Sequence, residues 1–267
     1  MKEIVDFLNE LRVNNNRVWF NEHKQQYLVA KAEFEKITQQ LIDGCEKFDS
    51  RIKGLTIKDC TYRIYRDVRF STDKSPYKVH MGAYICPEGK KSGYAGYYFH
   101  IGTGVNAEGV GDGYPYSHML AVGDYRFQPE VLRVLREDIV DDDGELDRIL
   151  KTQVSPLFRL DSENALKKVP AGFPADSPWA EYLKLRTFCL CWCPDDKFMR
   201  SKDVIERSLE LFRSAQPFLE YINRAIEYVK EEEGAASPQQ PNGYSFVDRC
   251  QVVANKDIQS LSPQGRG

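Results

Sequence analysis

The sequence predicts an α+β fold in which an antiparallel sheet packs against long amphipathic helices, with a helical C-terminal part. Phe20, Tyr27, Phe34 and Leu41 recur every seven residues, the spacing of one helix face. Between Lys58 and about Asp112 the chain is rich in Tyr, Ile, Val and Phe, alternates with period two and is punctuated by Gly and Pro, as strands are. Helical spacing returns beyond Pro129.

Taken in order, Ile4, Phe7, Leu8 and Leu11 stripe a first helix, which Asn14-Asn15-Asn16 interrupts with turn and N-cap residues. With Ala30 and Ile37 widening the seven-residue stripe, residues 17–48 read as one long helix. Two strands follow, each with an apolar face: Val79, Met81, Ala83 and Ile85 on one, Ala95, Tyr97, Phe99 and Ile101 on the next. Val131, Leu132, Leu135 and Ile139 stripe another helix, and Leu146, Ile149 and Leu150 a further one after a turn at Asp141-Asp142-Asp143-Gly144. A strand is expected over 185–193. A helix capped by Ser201 carries Ile205, Leu209 and Phe212, and Pro217 opens a last helix. Residues 1–230 are thus expected as a single domain. Residues 231–267, which turn to Gly, Ser, Pro, Gln and Asn with few apolar residues, are expected as a flexible tail.

Composition narrows the function. The 267 residues carry 37 basic and 40 acidic side chains, a net charge of −3, which argues against a chain-wide nucleic-acid footprint and leaves only local patches to read. No apolar run approaches the roughly 20 residues of a membrane span, and Glu3 and Asp6 stand where a signal peptide needs apolar residues. Seven irregularly spaced cysteines do not suggest a disulfide framework. A cytoplasmic protein without a membrane partner is expected.

The segment Tyr62-Arg63-Ile64-Tyr65-Arg66-Asp67-Val68-Arg69-Phe70 is the most informative. Read as a strand, it puts Tyr62, Ile64, Val68 and Phe70 on one face and Arg63, Tyr65, Asp67 and Arg69 on the other, so two guanidinium groups flank a carboxylate. Arg66 falls on the apolar face and needs a buried partner or a bulge. Burying such charges is costly unless they are paired, which leaves two explanations, an ion-pair network or an anion site. The loop Ser71-Thr72-Asp73-Lys74-Ser75-Pro76-Tyr77-Lys78 adds two lysines and several hydroxyls, the donor set that phosphate or carboxylate recognition favours, although the same residues also make ordinary solvated turns.

Leu11, Asn14-Asn15, Trp19-Phe20, the run from Arg63 to Ser71 and Asp73-Lys74-Ser75-Pro76-Tyr77-Lys78 together resemble the signature of an uncharacterised bacterial and fungal family, domain of unknown function 2461. The resemblance spans Met1 to about Tyr228 and implies one structural unit. It brings no established activity and no catalytic residue.

If both apolar strand faces pack on the long helix, the opposite face gathers His80, Tyr84, Tyr98 and His100 beside Arg63, Tyr65, Asp67 and Arg69. The expected site therefore uses Arg63, Asp67, Arg69, Lys74 and Lys78 to bind a small anionic or phosphorylated ligand, with Tyr77, His80 and His100 as candidate catalytic groups. The competing expectation is a non-enzymatic interaction or scaffold domain in which the charged strand is structural. No cofactor is indicated, and no metal is expected. Cys189, Cys191 and Cys193 alternate, so a strand would set their sulfurs on one face about 7 Å apart, and they read as small buried apolar residues rather than ligands. Gly109, Gly111 and Gly113 lack the spacing of a phosphate loop.

Overall fold

The computed structural model describes residues 1–69, 71, 73–103 and 117–236. Helix α1 (Lys2–Val13) buries Ile4, Val5, Phe7, Leu8 and Leu11 along one stripe. Asn16 then caps α2 (Arg17–Glu22), its side chain accepting from Trp19 N–H at 3.0 Å. The single helix expected over 17–48 is two, because the chain bends at His23 before α3 (Lys24–Glu46). His23 stacks on Trp19 with centroids 4.1 Å apart and sets Nδ1 2.8 Å from the Trp19 carbonyl. Phe20 and Tyr27 meet across the bend at 5.1 Å, so the seven-residue stripe survives the break. After a 3₁₀ turn (Ser50–Ile52) and the short α4 (Ile57–Cys60), the chain enters the sheet.

Strands β1 (His80–Ile85), β2 (Gly96–Gly102), β3 (His118–Asp124), β4 (Arg159–Leu160) and β5 (Phe188–Trp192) form an antiparallel sheet of order β1-β2-β3-β5-β4. The β1–β2 register pairs Ala83 with Phe99 and Met81 with Ile101, which puts the expected apolar residues on a common face. Helices α1, α3 and α9 (Val204–Ala236) lie against the sheet. Tyr97 meets Phe212 of α9 at 5.3 Å, and its hydroxyl donates to Asp49 at 3.1 Å. Asn223 of α9 holds both ends of Ala95, accepting from its N–H at 2.9 Å and donating to its carbonyl at 3.1 Å. Helices α5 (Pro129–Asp141) and α6 (Glu145–Thr152) pack on α9, as their stripes required, while α7 (Ala180–Leu183) and α8 (Asp196–Met199) are short.

Two expectations about the C-terminal part are corrected. Pro217 does not open a helix but lies inside α9. Its missing N–H forfeits one helical bond, yet Phe212, Ala215, Phe218, Leu219 and Ile222 form one fully buried stripe across it, and that burial keeps the two halves in line. The expected tail boundary also moves, since residues 231–236 continue α9; the remainder of the tail, like Gly109, Gly111 and Gly113, lies outside the described residues.

Candidate functional site

The charged segment is not a regular strand. Thr61 pairs with Ala83 and Tyr65 with Tyr77, each as a single bridge. From Thr61 to Tyr65 the chain advances four residues while from Tyr77 to Ala83 it advances six, so the pairing is broken by a bulge at the bend of Val79. Lys78 N–H donates to the Ile64 carbonyl at 2.8 Å and Arg66 N–H to the Pro76 carbonyl at 2.9 Å, so the segment still runs antiparallel against the residues before β1. Asn15 fixes the far side, donating to the Tyr77 carbonyl at 2.9 Å and accepting from its N–H at 3.1 Å.

Period-two chemistry persists without a strand. Arg63, Tyr65, Asp67 and Arg69 are exposed, Ile64 is buried, and Tyr62, Arg66 and Val68 are half-buried. The inward Arg66 has the partner it needed: its side chain is 10% exposed, pairs with Asp73 and donates to the Ser75 carbonyl at 3.2 Å. Asp73 also accepts from Ser75 N–H at 2.8 Å. Burial alone would raise the Asp73 carboxyl, but these hydrogen bonds outweigh it and hold the group below the usual carboxylate range. Outside, Arg69 grips Asp67 with a fork, Nε to Oδ1 at 2.9 Å and Nη2 to Oδ2 at 2.6 Å. That side-chain pairing is the main cause that pulls Asp67 down to about 2, with Arg63 a lesser one. Lys74 donates to the Val68 carbonyl at 3.0 Å, which sets its ammonium beside the peptide that joins Val68 to Arg69.

The expected site residues separate into groups. Tyr77 is buried and stacks on Phe20 of α2 at 3.9 Å, with Tyr65 5.3 Å away; burial pushes its phenol up. His80 and His100 lie on the other side of the sheet. Their rings stack at 4.5 Å, and His100 Nδ1 is 3.0 Å from the Tyr98 hydroxyl, so one ring stack and one hydrogen bond join a phenol and two imidazoles in a buried place. The stack needs the glycine at Gly102, where a Cβ would come within 2.8 Å of His100 Nε2 and 2.9 Å of His80 Cβ. Lys78 is buried too, its ammonium 5.6 Å from the centroid of Tyr62. Among the described residues no hydrogen bond or ring contact joins the histidines to Arg63, Asp67, Arg69 or Lys74. The expected single cluster is therefore corrected to two, because the bridges of Thr61 to Ala83 and Tyr65 to Tyr77 set the odd-numbered side chains of the charged segment on the side of Ala83, opposite His80 and His100.

Two features were missed or misjudged from sequence. His118 opens β3, an element the sequence reading omitted, and stands opposite Ile101 on the helix-covered face. Its Nε2 lies 3.0 Å from Asp196 Oδ1, while Nδ1 is buried with no hydrogen-bond partner among the described residues. Burial lowers its pKa although Asp196 pulls the other way. The short run Met119-Leu120-Ala121-Val122 was the available signal. Cys189 and Cys191 do share a face, but their sulfurs are 3.5 Å apart, half the expected separation, because both side chains lean toward each other along the strand.

The segment that carries the loop and both clusters also carries the family relationship. The model of the family described as a conserved hypothetical protein (DUF2461) matches residues 3–221. The chain belongs to this family. No curated protein and no solved structure matches. The DUF2461 match begins within α1 and ends within α9, so it takes in the Asn15 clamp, the charged loop, the histidine stack and the whole sheet. No helix among the described residues is long and apolar enough to cross a membrane.

Proposed function

We propose that the loop from Arg63 to Lys78 binds a small anionic or phosphorylated ligand on its outer side. The observation that carries this reading is the division of labour among its arginines: Arg66 is turned inward and committed to Asp73 and Ser75, while Arg63 and Arg69 face solvent. An inner brace holds the outer cations in place before a ligand arrives, which reduces the ordering cost of binding. Arg69 and Lys74 supply the two chemistries suited to a phosphate or carboxylate, a planar fork and a point charge. Asp67 occupies the fork in the unliganded protein and hands it over when a stronger anion binds. Arg63 adds positive potential on the same exposed side. No reaction is assigned, since Tyr77 is packed on Phe20 and the His80 and His100 stack lies on the other face.

Calorimetric titration with inorganic phosphate and a panel of phosphorylated metabolites tests this. Arg69→Lys keeps the charge and loses the fork, and should weaken binding by at least about tenfold. A panel without a single binder, or a binder indifferent to Arg69 and Lys74, ends the proposal.

A second reading, a protein-interaction domain, is favoured by Val13 and Val18, which are 70% and 68% exposed at the α1–α2 turn. Tyr65, itself half exposed, stands 6.2 Å from Phe20 of α2. Apolar groups beside exposed arginines suit a partner with an acidic rim. Loss of a captured protein on Val18→Asp, together with an empty metabolite panel, would favour this reading. In either case a cytoplasmic location fits the six described cysteines, all free thiols.

A further inference from the structure

The three alternating cysteines in and just after β5 enter neither reading, yet the two within the strand are placed for chemistry. Cys189 is fully buried and pairs across the ladder with Gly123; Cys191 is half-buried and pairs with Ala121. Residues two apart on a strand have Cα atoms about 6.6 Å apart, inside the span of up to about 6.8 Å that disulfides usually bridge. Their sulfurs have already closed to 3.5 Å, and the Tyr125 hydroxyl lies 3.2 Å from Cys191 Sγ, where it can donate to the sulfur as negative charge develops.

We propose that Cys189 and Cys191 are a reactive dithiol that a hydroperoxide converts reversibly to an intrastrand disulfide. Cys191, the more accessible sulfur, attacks the peroxide oxygen as a thiolate; the O–O bond breaks, the alcohol or water leaves, and Cys191 becomes a sulfenic acid. Cys189 then attacks the Cys191 sulfur, the S–O bond breaks, water leaves, and the S–S bond forms. Two electrons pass from the two sulfurs to the peroxide, and an external thiol returns them by exchange. Cys193 is held as the neutral thiol, because burial pushes it up to about 12. A bridge confined to one strand is strained and therefore easily reduced, which suits a reversible modification rather than a structural one.

Peptide mapping of the full chain tests this. After treatment with hydrogen peroxide and alkylation under denaturing conditions, the tryptic peptide 187–197 should lose two hydrogens, with fragmentation placing the bridge between Cys189 and Cys191. Dithiothreitol added after the peroxide and before alkylation should restore all three thiols. In Cys189→Ser the resolving thiol is gone, and dimedone should label Cys191. A peptide that stays reduced in excess peroxide, passes to sulfinic acid without a bridge, or joins Cys193 instead overturns the proposal. The mapping of the unmodified chain decides the matter even if a serine variant fails to fold.

Discussion

Asn15 and Tyr77 exchange two hydrogen bonds across 62 residues of sequence, the amide of one side chain reading the backbone of the other as a neighbouring strand would. This relationship ties an asparagine turn to a charged loop far along the chain: the turn after α1 is the anchor of the loop. Asn15→Ala removes both partners of a buried residue's peptide groups, and should lower stability by about 1–3 kcal/mol in urea unfolding. Asn14→Ala is the control. Its side chain reaches only the exposed Glu10 carbonyl, so its effect should stay within about 0.5 kcal/mol. Equal midpoints for the two variants would mean that the clamp carries no load.

Neighbouring ion pairs of the loop should behave oppositely. Arg66 is enclosed, and Arg66→Ala strips Asp73 and the Ser75 carbonyl of a charged donor, a loss of about 1–3 kcal/mol. Asp67 and Arg69 stand in solvent, so Asp67→Asn should barely move the unfolding midpoint. A large loss from Asp67→Asn would place the exposed pair, not Arg66, at the centre of the structure.

The low pKa of Asp67 gives a separate readout. Because the folded value, about 2, lies below the unfolded value near 3.9, the group's contribution to stability is complete above about pH 4 and is lost as pH falls through about 2. Carboxyl NMR should show a titration midpoint near 2 that moves toward the ordinary value in Arg69→Ala and in high salt. A midpoint unchanged by Arg69→Ala would mean that the fork is not formed in solution.

Much of this arrangement was legible in the residues, and its gaps have physical causes. The faces of β1 and β2, the stripes of α1, α5 and α6, and the inward Arg66 follow from local period and from the cost of burying charge. The register of the charged segment does not: alternation sorts the faces within each strand but leaves open which face of one meets which face of the other, and the bridges of Thr61 to Ala83 and Tyr65 to Tyr77 set Arg63, Tyr65, Asp67 and Arg69 opposite His80 rather than beside it. Pro217 read as a start because its local preference was weighed before the buried stripe that crosses it. The hydrogen bond between His118 and Asp196 joins positions 78 apart, a contact that only tertiary structure brings about.

His118 makes stability depend on pH in the mildly acidic range. Its folded pKa is depressed, chiefly by burial, so the unfolded chain binds a proton that the folded one resists. Stability should therefore be complete above the unfolded value near 6.5 and decline as pH falls below it. Asp196→Asn removes the group that opposes the depression, and should carry the decline to lower pH. His118→Gln retains a donor toward Asp196 and abolishes this component. Chemical unfolding of the three proteins from pH 7.5 to 5 measures it, and superimposable pH profiles would refute the assignment.

Helix α3 crosses α9 at Gly44, and the closeness of that crossing can be tested directly. A Cβ at Gly44 would lie 2.3 Å from Leu209 Cδ1 and 2.9 Å from its Cγ, too near for a small rotation of the methyl groups to relieve. Alanine gains up to about 1 kcal/mol over glycine in a helix, whereas overpacking a core contact costs about 1–3 kcal/mol. The clash should win, and Gly44→Ala should destabilise. Gly234, exposed in α9 with nothing within 4 Å of a built Cβ, carries the propensity gain without the clash, so Gly234→Ala should leave the midpoint unchanged or raise it. Combining Gly44→Ala with Leu209→Ala should recover part of the loss, since the methyl then occupies space the leucine vacated. Strict additivity of the two substitutions would show that Gly44 and Leu209 do not meet.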